Sequence, residues 1–96
     1  MEMKLIWTDN AINNLETILS YLDLNWSEKV RKNFIAKLDN KIEQIKKFPE
    51  SGIKTNAKTD LKKILITKHC YLVYKVKKNK ILLINFKDTR QNSNGN

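Results

Sequence analysis

Cysteine, proline, glycine and, in the last third of the chain, acid are all scarce here, and each scarcity closes off a class of protein. The lone cysteine, Cys70, cannot form an internal disulfide, so no disulfide framework holds the fold and a reducing, cytoplasmic setting is expected. Its thiol is expected to act as a small apolar filler. One proline and two glycines exclude collagen-like and low-complexity chains, and Gly52 and Gly95 alone leave no glycine-rich phosphate loop. No group of Cys, His, Asp and Glu has zinc-ligand spacing, so neither a metal nor another cofactor is expected. No apolar run approaches the ~18–20 residues that span a bilayer. The opening Met1-Glu2-Met3-Lys4-Leu5-Ile6-Trp7 lacks the long apolar core and small-residue cleavage site of a secretory signal. No membrane contact is expected.

What is present suits one small globular domain. The chain has 96 residues, 41% of them hydrophobic and 30% charged, which is one domain's worth with a modest core. Its net charge of +9 is unevenly placed. Residues 1–60 carry 10 Lys/Arg against 9 Asp/Glu, whereas residues 61–96 carry 9 Lys/Arg against Asp88 alone, a local charge of +8. A field concentrated in this way steers polyanions, either nucleic acid or an acidic protein partner. The plainer reading is that lysine keeps a small sheet soluble and blunts its edges.

Lys4-Leu5-Ile6-Trp7 reads as a short strand ended by Thr8-Asp9-Asn10, with Thr8 or Asp9 as a helix cap. Ala11, Leu15, Ile18 and Leu22 then recur at helical spacing, and Ile12 and Leu19 widen the stripe. Asp23-Leu24-Asn25-Trp26-Ser27 is read as a tight break. Ser27 caps a second helix whose stripe of Val30, Phe34, Leu38, Ile42, Ile45 and Phe48 runs for about twenty residues until Pro49 stops it. Helices joined so closely fold back as an antiparallel hairpin.

Residues 49–60 are polar and turn-rich, with Ile53 their one large apolar side chain, and read as a surface loop. Leu61 to Thr67 is a strand, Lys68-His69-Cys70 a turn, and Tyr71-Leu72-Val73-Tyr74-Lys75-Val76 the clearest strand in the chain. Lys78-Asn79 fits a tight hairpin, with Asn79 tolerating left-handed backbone angles. The apolar density of Ile81-Leu82-Leu83-Ile84-Asn85-Phe86 implies a central strand covered on both sides. After Asp88 nothing is left to bury, so a single domain over 1–90 with a disordered tail over 91–96 is expected. Trp7 and Trp26 read as hinge and core aromatics at element ends. The order is β-α-α-β-β-β, an α+β fold with a helical hairpin on a mainly antiparallel sheet.

That order, with these residues, resembles the RelE/ParE superfamily of bacterial toxins. Ile6-Trp7-Thr8-Asp9-Asn10-Ala11 through Leu15, Ile18 and Tyr21-Leu22 looks like the ParE-type opening. Phe34 and Leu38, then Ile45 through Pro49 and Gly52, are similar to the family's second helix and its exit. Tyr71-Leu72-Val73-Tyr74, Ile81-Leu82-Leu83-Ile84 and Arg90 look like its closing hairpin. The resemblance implies a plasmid-stabilisation type of toxin, held in check by a cognate antitoxin protein. ParE-like members inhibit DNA gyrase by binding; RelE-like members cleave mRNA on the ribosome. A remnant that binds without toxicity is the third possibility the resemblance leaves open.

A nuclease needs groups that move a proton and hold a phosphate's developing charge. Lys62, Lys63, Lys68, His69, Tyr71, Tyr74 and Arg90 are the candidates. The resemblance puts Arg90 near a phosphate-gripping arginine and Lys62 near a catalytic lysine, with Lys63 as the alternative. It also exposes two departures: Tyr71 stands where a second arginine is expected, and Gln91-Asn92-Ser93-Asn94-Gly95-Asn96 lacks the terminal tyrosine or histidine. A binding toxin needs only contacts, for which Lys68, His69, Tyr71, Lys75, Lys87 and Arg90 are the candidates. Each has a plainer role: His69 as a polar turn residue, Arg90 as a partner for Asp88. Tyr71 and Tyr74 are three apart and so face opposite sides of their strand.

Overall fold

The computed structural model describes residues 3–89. Five strands form one sheet in the order β1-β5-β4-β3-β2, and two helices lie on it. The elements are β1 (Lys4–Trp7), α1 (Asp9–Asn25), α2 (Glu28–Lys47), β2 (Ile53–Lys54), β3 (Leu61–Thr67), β4 (Cys70–Lys77) and β5 (Lys80–Asp88). β1 runs parallel to β5, and the remaining pairings are antiparallel.

Local chemistry explains the helices. Thr8 caps α1, its hydroxyl oxygen accepting from the Ala11 N–H at 3.1 Å, and Asp9 in the first turn favours the positive end of the helix dipole. Ser27 caps α2 in the same way, accepting from Val30 N–H at 3.3 Å. Lys46 and Lys47 lie in its last turn, where cations are favoured. The break between the helices is shorter than expected. Residues 23–25 stay helical, so Trp26 and Ser27 alone make the connection, braced by an Arg31–Asp23 ion pair at 3.1 Å. Trp26 is not a core aromatic: it is 47% exposed at the tip of this hairpin. Phe48, read as part of the α2 stripe, lies exposed just past the helix end.

One face of the sheet is closed by the helices. Ala11, Ile18 and Leu22 of α1 and Phe34, Leu38, Ile42 and Ile45 of α2 pack on Ile64, Ile66, Leu72, Tyr74, Ile81, Leu83 and Phe86. Leu5 and Trp7 join the same core from β1, with Trp7 stacked on Phe86 at 5.9 Å between centroids. Two bulges set which residues face inward. Val73 pairs with Asn85 and Tyr74 with Leu83, leaving Ile84 as the extra residue of β5, so that Leu83 and Phe86, three apart, both reach the core. Leu65 pairs with Tyr71 and Thr67 with Cys70, which makes Ile66 the extra residue of β3.

Four sequence expectations need correction. Residues 49–60 are not loop throughout, because a short 3-10 turn, Pro49–Ser51, leads into β2, whose Ile53 and Lys54 pair with Lys63 and Lys62. Second, β5 is central in its pairing but has helices over one face only, so Leu82 and Ile84 are half-buried on the other. Third, Cys70 belongs to β4, and the β3–β4 turn is Lys68-His69 alone. Fourth, Lys78 takes the positive φ of the second hairpin, at 57°, and no other non-glycine among the described residues does. The tail expected over 91–96 lies outside the described residues.

Beyond Trp7 the parallel partner of β5 ends, and α1 replaces it with side chains. The Thr8 hydroxyl donates to Leu83 O at 2.7 Å, the Asn10 amide donates to Ile84 O at 3.2 Å, and Phe86 N–H donates to the Asn14 amide oxygen at 3.0 Å. These bonds satisfy backbone groups that would otherwise need a strand beside them. On the other side of the sheet Tyr74 plays a similar part. Its phenol donates to Pro49 O and accepts from Gly52 N–H, both at 2.8 Å, tying the exit of α2 to the central strand.

Candidate functional site

Alternation along the strands sorts the candidate residues by face. Lys63 and Leu65 of β3, Tyr71, Val73 and Lys75 of β4, and Leu82, Asn85 and Lys87 of β5 lie on the face that no helix covers. Tyr71 is the hub. It pairs with Leu65 on one side and Lys87 on the other, and the Lys63 ammonium stands 5.1 Å from its ring centroid. That is cation–π range. Ile53, Lys63, Leu65 and Tyr71 line a shallow, largely apolar cavity of about 220 Å³. Ile53 is 70% and Leu65 59% exposed, an apolar edge that folding alone leaves unburied.

Lys62 and Lys63, proposed together from the sequence, are separated by the sheet. Lys62 pairs with Tyr74 across the ladder and points to the helix side, where its ammonium meets Glu50 at 3.1 Å. Only 11% of that side chain is exposed. Lys62 therefore secures the exit of α2, while Lys63 belongs to the uncovered face. Tyr74 is likewise removed from the candidates by its burial and its two backbone bonds. Burial raises its phenol above the ordinary tyrosine value, an effect that the Gly52 N–H hydrogen bond partly offsets.

Lys68 and His69 form the β3–β4 turn and do not join the Tyr71 cluster. They line a separate depression of about 340 Å³ with Val30, Asn33, Phe34, Lys37 and Thr67, between α2 and the end of the sheet. The His69 carbonyl oxygen accepts from the backbone N–H and the hydroxyl of Thr89, at 2.8 and 3.2 Å, which fixes the turn against the end of β5. Arg90 lies outside the described residues. The site thus brings together Lys63, Tyr71 and Lys87, leaves Lys75 on the same face but further along β4, opposite Leu82, and places Lys62, Lys68 and His69 elsewhere.

Two contributors were missed from the sequence. Ile53 falls in a stretch that reads as loop, and its place beside Lys63 depends on the pairing of β2. The other is Asn85, whose amide oxygen is buried without a hydrogen-bond partner among the described residues. Its interruption of the apolar run Ile81–Phe86 was the available sign, since a buried polar atom without a partner is costly.

Chemically, this face offers cations, one aromatic ring and apolar contact, and among the described residues no carboxylate or histidine joins the Tyr71 cluster. Among the described residues no group of His, Cys, Asp and Glu could hold a metal ion, and no helix is long and apolar enough to cross a membrane.

A family model described as the ParE toxin of the type II toxin–antitoxin system, parDE, matches residues 5–93. The chain belongs to the ParE toxin family. Solved structures agree on the fold. A chain of the chromosomal ParDE toxin–antitoxin system from P. aeruginosa superposes with a TM-score of 0.72 at 12% identity, covering 90% of this chain and 95% of that one. A mutant E. coli RelE toxin in the free state gives 0.62 at 19% identity over 97% and 90% of the two chains. The YoeB–YefM complex from Staphylococcus aureus gives 0.59 at 17% identity over 91% and 97%. A comparison with curated proteins gives no match. The β-α-α-β-β-β reading of the sequence therefore holds in its helices and closing strands, with β2 added, and the toxin family is the one the residues resembled.

Proposed function

We propose that this chain arrests growth by binding, with DNA gyrase as its target, and that a cognate antitoxin protein holds it inactive. The family match supports the toxin role, and the observation that carries the mode of action is the dispersal of the candidate proton carriers. A phosphodiester-cleaving site needs a base and an acid within hydrogen-bond reach of the same substrate. Here Lys62 is turned to the helix side and paired with Glu50, and His69 lines a different depression beside α2. What stays together around Tyr71 is a surface for contact: two flanking lysines, an aromatic ring and exposed Ile53 and Leu65. Charge and exposed apolar area in one patch suit protein recognition.

The antitoxin partner rests on the family and on the solved YoeB–YefM complex of the same fold. One specific observation favours the second reading, ribosome-dependent mRNA cleavage. Lys63, Tyr71 and Lys87 share one face, and Tyr71 could stack on a base there.

The experiment is a pair of purified assays. DNA supercoiling by gyrase is expected to fall as the chain is titrated in, and mRNA on programmed ribosomes is expected to stay intact. Transcript cleavage that disappears in Arg90→Ala would overturn the binding mode and establish the nuclease.

A further inference from the structure

The far end of the β4–β5 hairpin carries a second concentration of charge, distinct from the Tyr71 cluster. Lys77 pairs directly with Lys80, and Lys4 of β1 is the neighbour of Lys80 on its other side. Lys78 sits in the connecting turn. From Tyr71 to Lys77 is six residues of strand, about 20 Å at ~3.3 Å per residue. Four lysines therefore gather at one corner of the sheet, well away from Lys63 and Lys87.

This corner is poorly arranged for stability alone. Like charges directly opposite in a ladder repel, and none of Lys4, Lys77, Lys78 and Lys80 meets a carboxylate among the described residues. Lys78 also holds a φ of 57°, where glycine or asparagine is the usual occupant. Departures from local preference that gather in one place commonly mark a functional surface.

The floor between the lysines is apolar. Ile6 and Leu82, paired across β1 and β5, line a depression of about 390 Å³ together with Lys77, Lys78 and Lys80. β1 also ends the sheet on this side. Lys4 N–H and Thr8 N–H point toward β5, donating to Asn79 O and Leu83 O. In a parallel ladder the alternate residues, Leu5 and Trp7, turn their backbone groups outward.

We propose that this corner is a docking surface for an acidic, extended segment of a partner protein. Its carboxylates would lie over Lys4, Lys77, Lys78 and Lys80, and one apolar side chain would fill the depression over Ile6 and Leu82. Charge complementarity selects an acidic partner, and the apolar floor favours a peptide over a nucleic-acid backbone, which would leave that floor unused. The proposal deepens the toxin–antitoxin reading by giving the neutralising partner a place to bind, and it rests on that reading for the partner's role.

The test uses the full chain and three labelled probes: a peptide of alternating Glu and Val, a peptide of alternating Gln and Val, and single-stranded oligo(dT). Anisotropy titrations should show the acidic peptide binding more tightly than either comparator. K77E/K80E should weaken it by about tenfold or more and flatten its salt dependence. Leu82→Asn should weaken it by about threefold and leave the salt dependence unchanged. K63E/K87E, at the other end of the sheet, should alter it less than about twofold. If K77E/K80E disturbs folding, K77Q/K80Q gives the same comparison without added negative charge.

Acidic-peptide affinity indifferent to Lys77 and Lys80 would overturn the proposal. So would oligo(dT) binding that depends on these lysines while peptide binding does not. Growth arrest by the chain expressed alone separates the two claims. A harmless chain that still binds the peptide through Lys77 and Lys80 sinks the toxin reading and leaves the docking surface standing. A toxic chain whose peptide binding ignores those residues does the reverse.

Discussion

The two faces of the sheet are made from alternate residues of the same strands, yet they answer to different demands. On the covered face Ile64, Leu72, Tyr74, Ile81 and Leu83 are buried beneath both helices, and the polar groups there, the Tyr74 phenol and the Lys62 ammonium, have named partners. On the uncovered face Lys63, Lys75 and Lys87 alternate with Tyr71, Leu65 and Leu82, and Asn85 keeps a buried oxygen without a partner among the described residues. The covered face is satisfied within the chain. Its opposite remains incomplete, and incompleteness in a small domain is most economically explained by a partner.

The sharpest way to break this contrast is to delete one leucine from each face. Leu72→Ala, at a fully buried position, is expected to cost about 3 kcal/mol through lost burial and the cavity left behind. Leu65→Ala, at an exposed one, should stay within about 0.5 kcal/mol. Equilibrium urea unfolding measures both. Equal losses would show that the face without helices is as tightly packed as its opposite.

Next come the ties between the exit of α2 and β4. A Cβ at Gly52 would stand 2.6 Å from the Tyr74 phenol oxygen and 2.9 Å from the Lys63 carbonyl oxygen. Gly52→Ala must therefore push one of them away, at a cost of about 1–3 kcal/mol. Tyr74→Phe removes both hydrogen bonds and should cost about 1–2 kcal/mol in the same measurement.

Tyr74 also carries a pH signature. Its phenol is raised above the ordinary value, mainly by burial, so the folded state favours the protonated form. That contribution is fully present below the unfolded value of about 10 and is lost as pH rises through the higher folded value. Thermal melts of the native chain should fall above pH ~10 more steeply than those of Tyr74→Phe. Parallel curves would mean that the phenol does not titrate with unfolding.

The smallest effect is expected at the hairpin corner. Lys78→Gly removes a side chain from a φ of 57° but loosens the unfolded chain, for a net gain below about 1 kcal/mol. A rise in melting temperature of no more than about 4–8 °C, with weaker binding of the acidic peptide, would show stability and recognition pulling apart at one residue.

The elements held by strong local rules were legible in the sequence. Thr8 and Ser27 as caps, the helical stripes, Pro49 as a stop and the Tyr71–Val76 strand all follow from spacing and capping chemistry that act within a few residues. What escaped depended on distant partners. Ile53 and Lys54 become a strand only because Lys63 and Lys62 offer an edge, and a two-residue strand leaves no periodicity to read. The extra residues Ile66 and Ile84 shift the alternation of β3 and β5, and nothing local in an all-apolar run announces a bulge. For the site, alternation correctly split Tyr71 from Tyr74. The same rule, applied to adjacent Lys62 and Lys63, would have separated them as well.

The central claim is that the uncovered face acts on a target while the covered one holds the fold. Its most direct test is viability after the chain is expressed alone, with the native sequence compared against K63E/Y71A. The native chain should sharply reduce colony formation, and the variant should restore it while melting within a few degrees of the native protein. A correctly folded variant that kills as well as the native chain would contradict the claim.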